Sequence, residues 1–204
     1  MYKFPYFKED DKKKVTTFMQ LNPFVIITGS AEGLPVATHI PVDTRIEADG
    51  KLTLHGHMMR KTDHHQAFEK NNDVLVIYNG PHCYVSASWY QDPHSGSTWN
   101  YMTVHARGRM FFTDAEGTYQ AVKWITDKYE GTETAAAFKN LSEDYVSMMV
   151  KAIVGFRIEV EQIENVFKLS QNKDEASRKN IIQKLTERGD GHSRSIAEEM
   201  IKRI

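Results

Sequence analysis

A single cysteine, Cys83, stands in the 204 residues, so the chain can form no internal disulfide and offers no Cys-x-x-Cys pair for metal or redox work. That scarcity fits a reducing compartment, and the cytoplasm is the expected location. Long apolar runs are missing too. Nothing approaches the roughly 20 residues a membrane-crossing helix needs, and no membrane partner is expected. The aromatic start, with Tyr2, Phe4, Tyr6 and Phe7, turns charged between Glu9 and Lys14, the wrong order for a signal peptide. Neither sign of charge dominates: 26 Lys and Arg against 27 Asp and Glu give a net charge of −1. Any DNA contact therefore needs a local basic patch. There is no Gly-x-Ser-x-Gly elbow, no internal repeat and no low-complexity tract.

What is present suffices for one core-bearing domain, or one domain with an appendage. Residues 10–20 read as a helix capped by Asp10 or Asp11, with Val15, Phe18 and Met19 on one face, stopped at Asn22-Pro23. Strands over 24–28 and 36–42 form a hairpin across Ala31-Glu32-Gly33-Leu34, and strands over 45–47 and 51–57 form a second. A short helix over 63–71 precedes strands over 74–78, 84–88 and 102–112. Helices follow over 116–129, with Ala121, Trp124, Ile125 and Lys128 on one face, and over 144–153, before a strand over 154–160. Beyond Asn172 the composition turns charged and helical, and Gly189-Asp190-Gly191 divides two helices. Many short strands with a few helices predict a mainly β protein, a β-barrel decorated by helices.

The densest chemistry lies in Pro81-His82-Cys83-Tyr84-Val85-Ser86-Ala87-Ser88-Trp89-Tyr90 and in Ser97-Thr98-Trp99-Asn100-Tyr101-Met102-Thr103-Val104-His105. Aromatics with polar handles at a loop suit a surface that meets something flat, a ring ligand or another subunit. Together with Gly56-His57-Met58-Met59-Arg60 and Phe167-Lys168-Leu169-Ser170-Gln171-Asn172, these segments resemble the PaiB family, flavin-type split-barrel proteins described as FMN-binding negative transcriptional regulators. The resemblance spans nearly the whole chain. It implies an FMN-binding split β-barrel over residues 1–170 with a C-terminal helical extension over 171–204, a homodimer, and a repressor role of the protease-synthesis and sporulation type. The rival it leaves open is an FMN-dependent oxidoreductase of the pyridoxamine-phosphate-oxidase-like class, or a haem-handling enzyme. A barrel without cofactor, serving as a dimeric interaction module, is a third.

The expected cofactor is FMN, with haem second. At the end of a strand and the start of a helix, Arg60 and Lys61 offer cationic donors, Thr62 a hydroxyl, and Gly56 room for close approach. The same residues would also make a solvated corner. The resemblance adds His55 and His57 from that strand, Thr38, His39 and Ile40 from the Thr-His-Ile-Pro run, and Trp89, Trp99, Asn100, Tyr101 and His105 from the aromatic segments. Where the family commonly has Asn-Pro after the basic pair, this chain has Thr62-Asp63, whose carboxylate must turn away from any phosphate, for example to cap the helix. Where it has Val-Pro before the second aromatic motif, this chain has Gly96-Ser97. Alternation puts Thr38 and Ile40 on one strand face and His39 on the other, and places His55 and His57 together.

Other chemistries have less to stand on. His55, His57, His64 and His65 cluster in sequence, but periodicity brings only two to one face and zinc needs three or four converging ligands, so no metal is expected. Haem ligation would need one histidine singled out, and none is. His82 and Cys83 face opposite ways on a strand, which leaves Cys83 a small packing residue and no catalytic nucleophile. Trp89-Tyr90 and Trp99-Asn100-Tyr101 would equally form the centre of a homodimer interface. The C-terminal helices interleave Arg178, Lys184, Arg188 and Arg194 with Glu187, Asp190 and Glu198. DNA reading by them and a plain solvated hairpin both remain open.

Overall fold

The computed structural model describes residues 1–2 and 4–204; Lys3, within the aromatic start, lies outside the described residues. Seven strands follow one another in the sheet order β2-β1-β5-β6-β7-β4-β3. They are β1 (Phe24–Ala31), β2 (Leu34–Pro41), β3 (Asp43–Ile46), β4 (Leu52–Met59), β5 (Asp73–Val85), β6 (Thr98–Phe112) and β7 (Ile153–Lys168). Six helices accompany them: α1 (Lys12–Leu21), α2 (Asp63–Lys70), α3 (Ala115–Glu130), α4 (Glu143–Ala152), α5 (Glu175–Arg188) and α6 (Gly191–Ile201). No helix among the described residues is long and apolar enough to cross a membrane.

Local chemistry explains the starts and stops. Asp11 accepts from the Lys13 and Lys14 amides and caps α1, which buries Val15, Phe18 and Met19. The β1–β2 hairpin pairs Phe24 with Pro41 and Ala31 with Leu34. It turns through Glu32 and Gly33, both at positive φ, the backbone a tight two-residue turn requires. Gly189 closes α5 in the left-handed conformation and Asp190 caps α6 through Ser193.

The chain divides into two compact units, and β5, β6 and β7 each run from one into the other. The first unit comprises Met1–Asn22, Tyr78–Val104 and Glu164–Ile204. Its core gathers Phe18, Met19, Val85, Val104, Phe167, Ile181, Leu185, Ile196 and Met200, with the Phe18 and Phe167 rings 5.0 Å apart. The second unit comprises Pro23–Ile77 and His105–Ile163. There Leu54, Met58, Phe156 and Ile158 are buried on one face of the β4–β7 ladder. A satellite cluster of Val122, Phe138 and Val146 lies among α3, α4 and the short turn between them.

Several expected boundaries are corrected. The strands read over 74–78 and 84–88 are one strand, β5, which continues through Gly80-Pro81 and ends at Val85. Gly80 is no break: a Cβ there would stand 2.5 Å from the Phe18 ring, so the glycine makes room for α1. After Val85 the chain enters a 3₁₀ turn, Ala87–Trp89, capped by Ser86. β6 begins at Thr98 and β7 runs to Lys168, both beyond the apolar alternation that marked them. The deepest residues of α3 are Thr118 and Val122, because Gly155 of β7 donates its amide to the Thr118 hydroxyl at 2.9 Å and draws that face inward.

Candidate functional site

The fourteen expected site residues fall into two groups, one in each unit.

The second unit holds residues 38–40, 55–57, 60–62 and 105. On β2, which has a paired neighbour on one side in the sheet order, Ile40 is buried, Thr38 half-buried and His39 exposed. The end of β2 meets the middle of β4, since the Pro41 carbonyl lies 3.1 Å from where a Gly56 Cβ would be. The same position is 2.7 Å from the Phe156 ring. Gly56 is therefore accounted for by packing against Phe156 and Pro41, not by room for a ligand. His55 and His57 share the opposite face of β4, half-buried, and burial holds both imidazoles below their ordinary pKa.

At the end of β4 the chain turns a corner. The Arg60 amide bonds to the Ala152 carbonyl at 3.0 Å, and Lys61 adopts a left-handed φ of 63°. That conformation costs a residue with a Cβ about 1 kcal/mol or more. Thr62 caps α2: its hydroxyl accepts from the His65 amide at 3.3 Å and donates to the Met59 carbonyl at 3.1 Å. The hydroxyl expected to face a ligand is thus engaged within the chain. Asp63 is not the cap. Its side chain, 81% exposed, accepts from the His64 amide at 2.8 Å and lies 3.1 Å from His64 Nδ1. Those contacts hold its carboxyl below the usual range. The cationic side chains of Arg60 and Lys61 differ from their neighbours: among the described residues neither makes an ion pair or a side-chain hydrogen bond. His105 is half-buried on β6.

The first unit holds Trp89, Trp99, Asn100 and Tyr101. Trp89 is occupied from within. The Arg188 guanidinium lies 4.8 Å from its ring centroid, and its carbonyl accepts from Asn180 at 2.8 Å. Asn100 is fully buried; its Oδ1 accepts from the Ser170 hydroxyl at 3.1 Å and its amide faces the Met200 sulfur at 3.6 Å. Asn100 is thereby a cross-link between β6, the segment after β7 and α6, rather than a group offered to a ligand. Tyr101 is half-buried, and burial followed by the nearby Tyr2 raises its phenol pKa.

Trp99, by contrast, is 53% exposed. Tyr84 stands edge-on to it at 6.1 Å and His82 lies 6.3 Å away. His82 in turn packs on His192 at the start of α6, with ring centroids 4.3 Å apart. The His82 amide donates to His192 Nδ1 at 3.3 Å. Trp99, Tyr84 and the two imidazoles form an outward aromatic face. Tyr84 belongs to the aromatic segment singled out in the sequence, whereas His192 escaped it because strand alternation identifies outward residues on one strand but not what a distant helix brings beside them. Cys83 points the other way, buried, and burial pushes its thiol up to about 11.

The Phe167–Asn172 motif also acquires a structural role. Gln171 accepts from the Leu169 amide at 2.7 Å and donates to the Phe167 carbonyl at 2.5 Å, bracketing Lys168. Ser170 is held at a φ of 60° with its hydroxyl on Asn100. Lys168 donates to the Thr98 hydroxyl, and burial lowers its ammonium pKa.

The cations of α5, and Lys202 and Arg203 just after α6, are engaged within the chain. Lys179 pairs with Glu175, Lys184 with Glu187, Lys202 with Glu199, and Arg203 with both Glu9 and Glu199. Arg178 donates to the Arg203 carbonyl and Arg188 to the Tyr84 carbonyl.

Comparison with known proteins fits this geometry. The profile of the family described as "Putative FMN-binding domain" matches residues 1–162. The chain is 32% identical over 201 residues to protease synthase and sporulation protein PAI 2 of Bacillus subtilis, covering 98% of this chain and 96% of that protein. Among solved structures, the flavocytochrome Anf3 of Azotobacter vinelandii superposes with a TM-score of 0.64 at 12% identity, covering 82% of this chain and 72% of the other. The FAD and heme binding protein of Mycobacterium smegmatis gives 0.60 at 13% identity, covering 79% and 73%. These two likenesses bear on the fold, a flavin-type split barrel, and on nothing finer. By its sequence match over almost its full length, the chain belongs to the FMN-binding-domain family that includes Bacillus subtilis PAI 2.

Proposed function

We propose that the protein binds FMN and acts as a PaiB-like negative regulator of transcription, of the protease-synthesis and sporulation type named by its Bacillus relative. The observation that carries the flavin part is the corner after β4, where two adjacent cations lack ion-pair partners among the described residues and Lys61 is held at positive φ. Unpaired cations at a strained turn are what an anionic phosphate compensates. The α2 N-terminus contributes less, because Thr62 and Asp63 already satisfy the His65 and His64 amides. Arg60 and Lys61 would hold the phosphate, with His57 and the Thr38–Ile40 strand toward the ring. When bound, FMN supplies a redox-active, fluorescent ring.

The exposed Trp99–Tyr84 face is read as the surface for a second copy of the chain, since tryptophan and tyrosine concentrate at interface centres. The internal pairing of the α5 cations and of Lys202 and Arg203 favours a regulatory effect that does not depend on a basic DNA-reading face.

The test is titration of the purified protein with FMN, followed by flavin fluorescence. Saturable binding is expected, weakened about 10- to 100-fold in Arg60→Ala/Lys61→Ala, as loss of charge-assisted contacts of about 1.5–3 kcal/mol implies. An unchanged affinity removes the corner from the site. For the regulatory part, promoter retention that appears only with FMN, or only without it, is the expected result; retention indifferent to FMN contradicts a flavin-responsive regulator.

A further inference from the structure

The outer face of β3, β4 and β7 in the second unit carries a cavity of about 570 Å³, within the range of small-molecule sites. Its lining mixes charge with apolar surface. Arg45, Lys51 and Arg157 line it together with Glu47, Asp49 and Glu159, Thr53 and His55 are its neutral polar groups, and Ala48, Leu52 and Val160 complete it. Strand register explains the convergence: Asp43 and Arg157 flank His55 across β3 and β7, while Arg45 and Glu159 flank Thr53.

Hydrogen bonding fixes the state of His55. The buried Thr53 hydroxyl donates to Glu47 Oε1 at 2.5 Å, so toward His55 its oxygen is an acceptor, and His55 Nε2, 3.0 Å away, carries the proton. Nδ1 is left as the acceptor, with no hydrogen-bond partner among the described residues. Burial first, then the Arg45 charge, holds the imidazole below its ordinary pKa against the opposing pull of Glu47 and Asp43. His55 therefore stands neutral at neutral pH, a lone pair in a charged cavity.

The arginines keep donors in hand. Arg45 bonds back along its own strand to Asp43 through Nε at 2.5 Å, and Arg157 does the same to Glu159 through one Nη at 2.5 Å. A guanidinium has five N–H donors, so each retains several. Lys51 likewise pairs with Asp49 at 3.0 Å, so the lining charges are matched among themselves or by Asp43. What stays free is a set of arginine N–H donors and the His55 Nδ1 lone pair, and a ligand carrying both an anionic acceptor and a cationic donor meets both.

We propose that this cavity is a binding site for a small zwitterion carrying an ammonium and a carboxylate, of the α-amino-acid class. The ammonium donates to His55 Nδ1; the carboxylate accepts from Arg157 or Arg45. This site goes beyond the flavin reading and does not rest on it. Acidification weakens it, because protonated His55 repels an ammonium. The charged groups around His55 are Asp43 and Arg45 from β3, Glu47 from the following turn, and Arg157 and Glu159 from β7. From α3, Trp124 lies 6.0 Å from the Arg45 guanidinium, with Lys128 over the same ring.

The experiment uses the full chain, with and without FMN, and glycine, L-serine and L-glutamate as probes. Acetate and ethylamine serve as single-sign controls, and binding is read by calorimetry and by NMR of the His55 ring. Saturable binding of at least one amino acid is expected, with the His55 signals moving. The controls should bind about tenfold or more weakly, and affinity should fall from about pH 7.5 to about pH 5.5 as His55 takes up a proton. His55→Gln and Arg157→Ala, both folded by circular dichroism, should each lose binding about tenfold. No amino-acid binding, equal binding of acetate or ethylamine, full binding by both variants, or displacement of the probe by FMN would each overturn the proposal. The last outcome would make the cavity part of the flavin site; a failure of FMN binding alone would leave the zwitterion site standing.

Discussion

Replacing Lys61 by glycine and, separately, by alanine separates what the residue does for the fold from what it does for a ligand. The left-handed φ of 63° costs a side chain with a Cβ about 1–2 kcal/mol. Glycine escapes that cost but loses about 0.5–1 kcal/mol to the greater freedom of the unfolded chain. Lys61→Gly should therefore exceed Lys61→Ala in stability by about 0.5–1 kcal/mol. For a chain of this length that is roughly 1–4 °C in melting temperature. Both variants lose the same exposed ammonium, worth about 0.5–1 kcal/mol toward a phosphate in solvent, or about a two- to fivefold rise in the FMN dissociation constant. Scanning calorimetry and FMN titration of the two proteins side by side measure both quantities. Equal melting temperatures would show that the corner stores no strain, and equal FMN affinity to the parent would take Lys61 out of the phosphate site.

Three other expectations follow from the geometry. Asn100→Ala leaves the buried Ser170 hydroxyl without its acceptor and opens a void, which should cost about 2–4 kcal/mol; adding Ser170→Gly, which also relieves its positive φ, should recover part of that loss in the melting curve. The Cys83 thiol, pushed up to about 11 by burial, should alkylate with iodoacetamide at least about 100-fold more slowly in the native protein than in urea, and comparable rates would contradict its packing. Burial holds His55 and His57 below their ordinary value of 6.5. The unfolded chain then takes up protons first, so stability present above that value is lost as pH falls below it. A urea midpoint that rises between about pH 7 and about pH 5.5 would contradict this.

Sequence reading located helices and hairpins where local chemistry decides them. Asp11 as cap, the Glu32-Gly33 turn and the Gly189-Asp190 hinge are each set by a few adjacent residues, and the structure has them there. The gap read between strands over 74–78 and 84–88 is absent: β5 continues through Gly80, and the reason for that glycine is the Phe18 ring of α1, far away in sequence. The candidate site divides along the same line. Arg60 and Lys61 could be singled out by type and place. That Thr62, Asn100 and Trp89 would be occupied by Met59, Ser170 and Arg188 depends on tertiary partners that no periodicity encodes.

The interleaving of the two units sets a timetable for synthesis. The apolar face of α1 leaves the ribosome well before β7, and Phe18 finds Phe167 only after roughly 150 more residues, about 7–30 s at ordinary elongation rates. Throughout that interval Val15, Phe18 and Met19 have no lasting shelter, and a chain stalled before β7 is complete keeps them bare. Nascent chains of this protein should accordingly engage a holding chaperone once α1 emerges and be released only after β7 is complete.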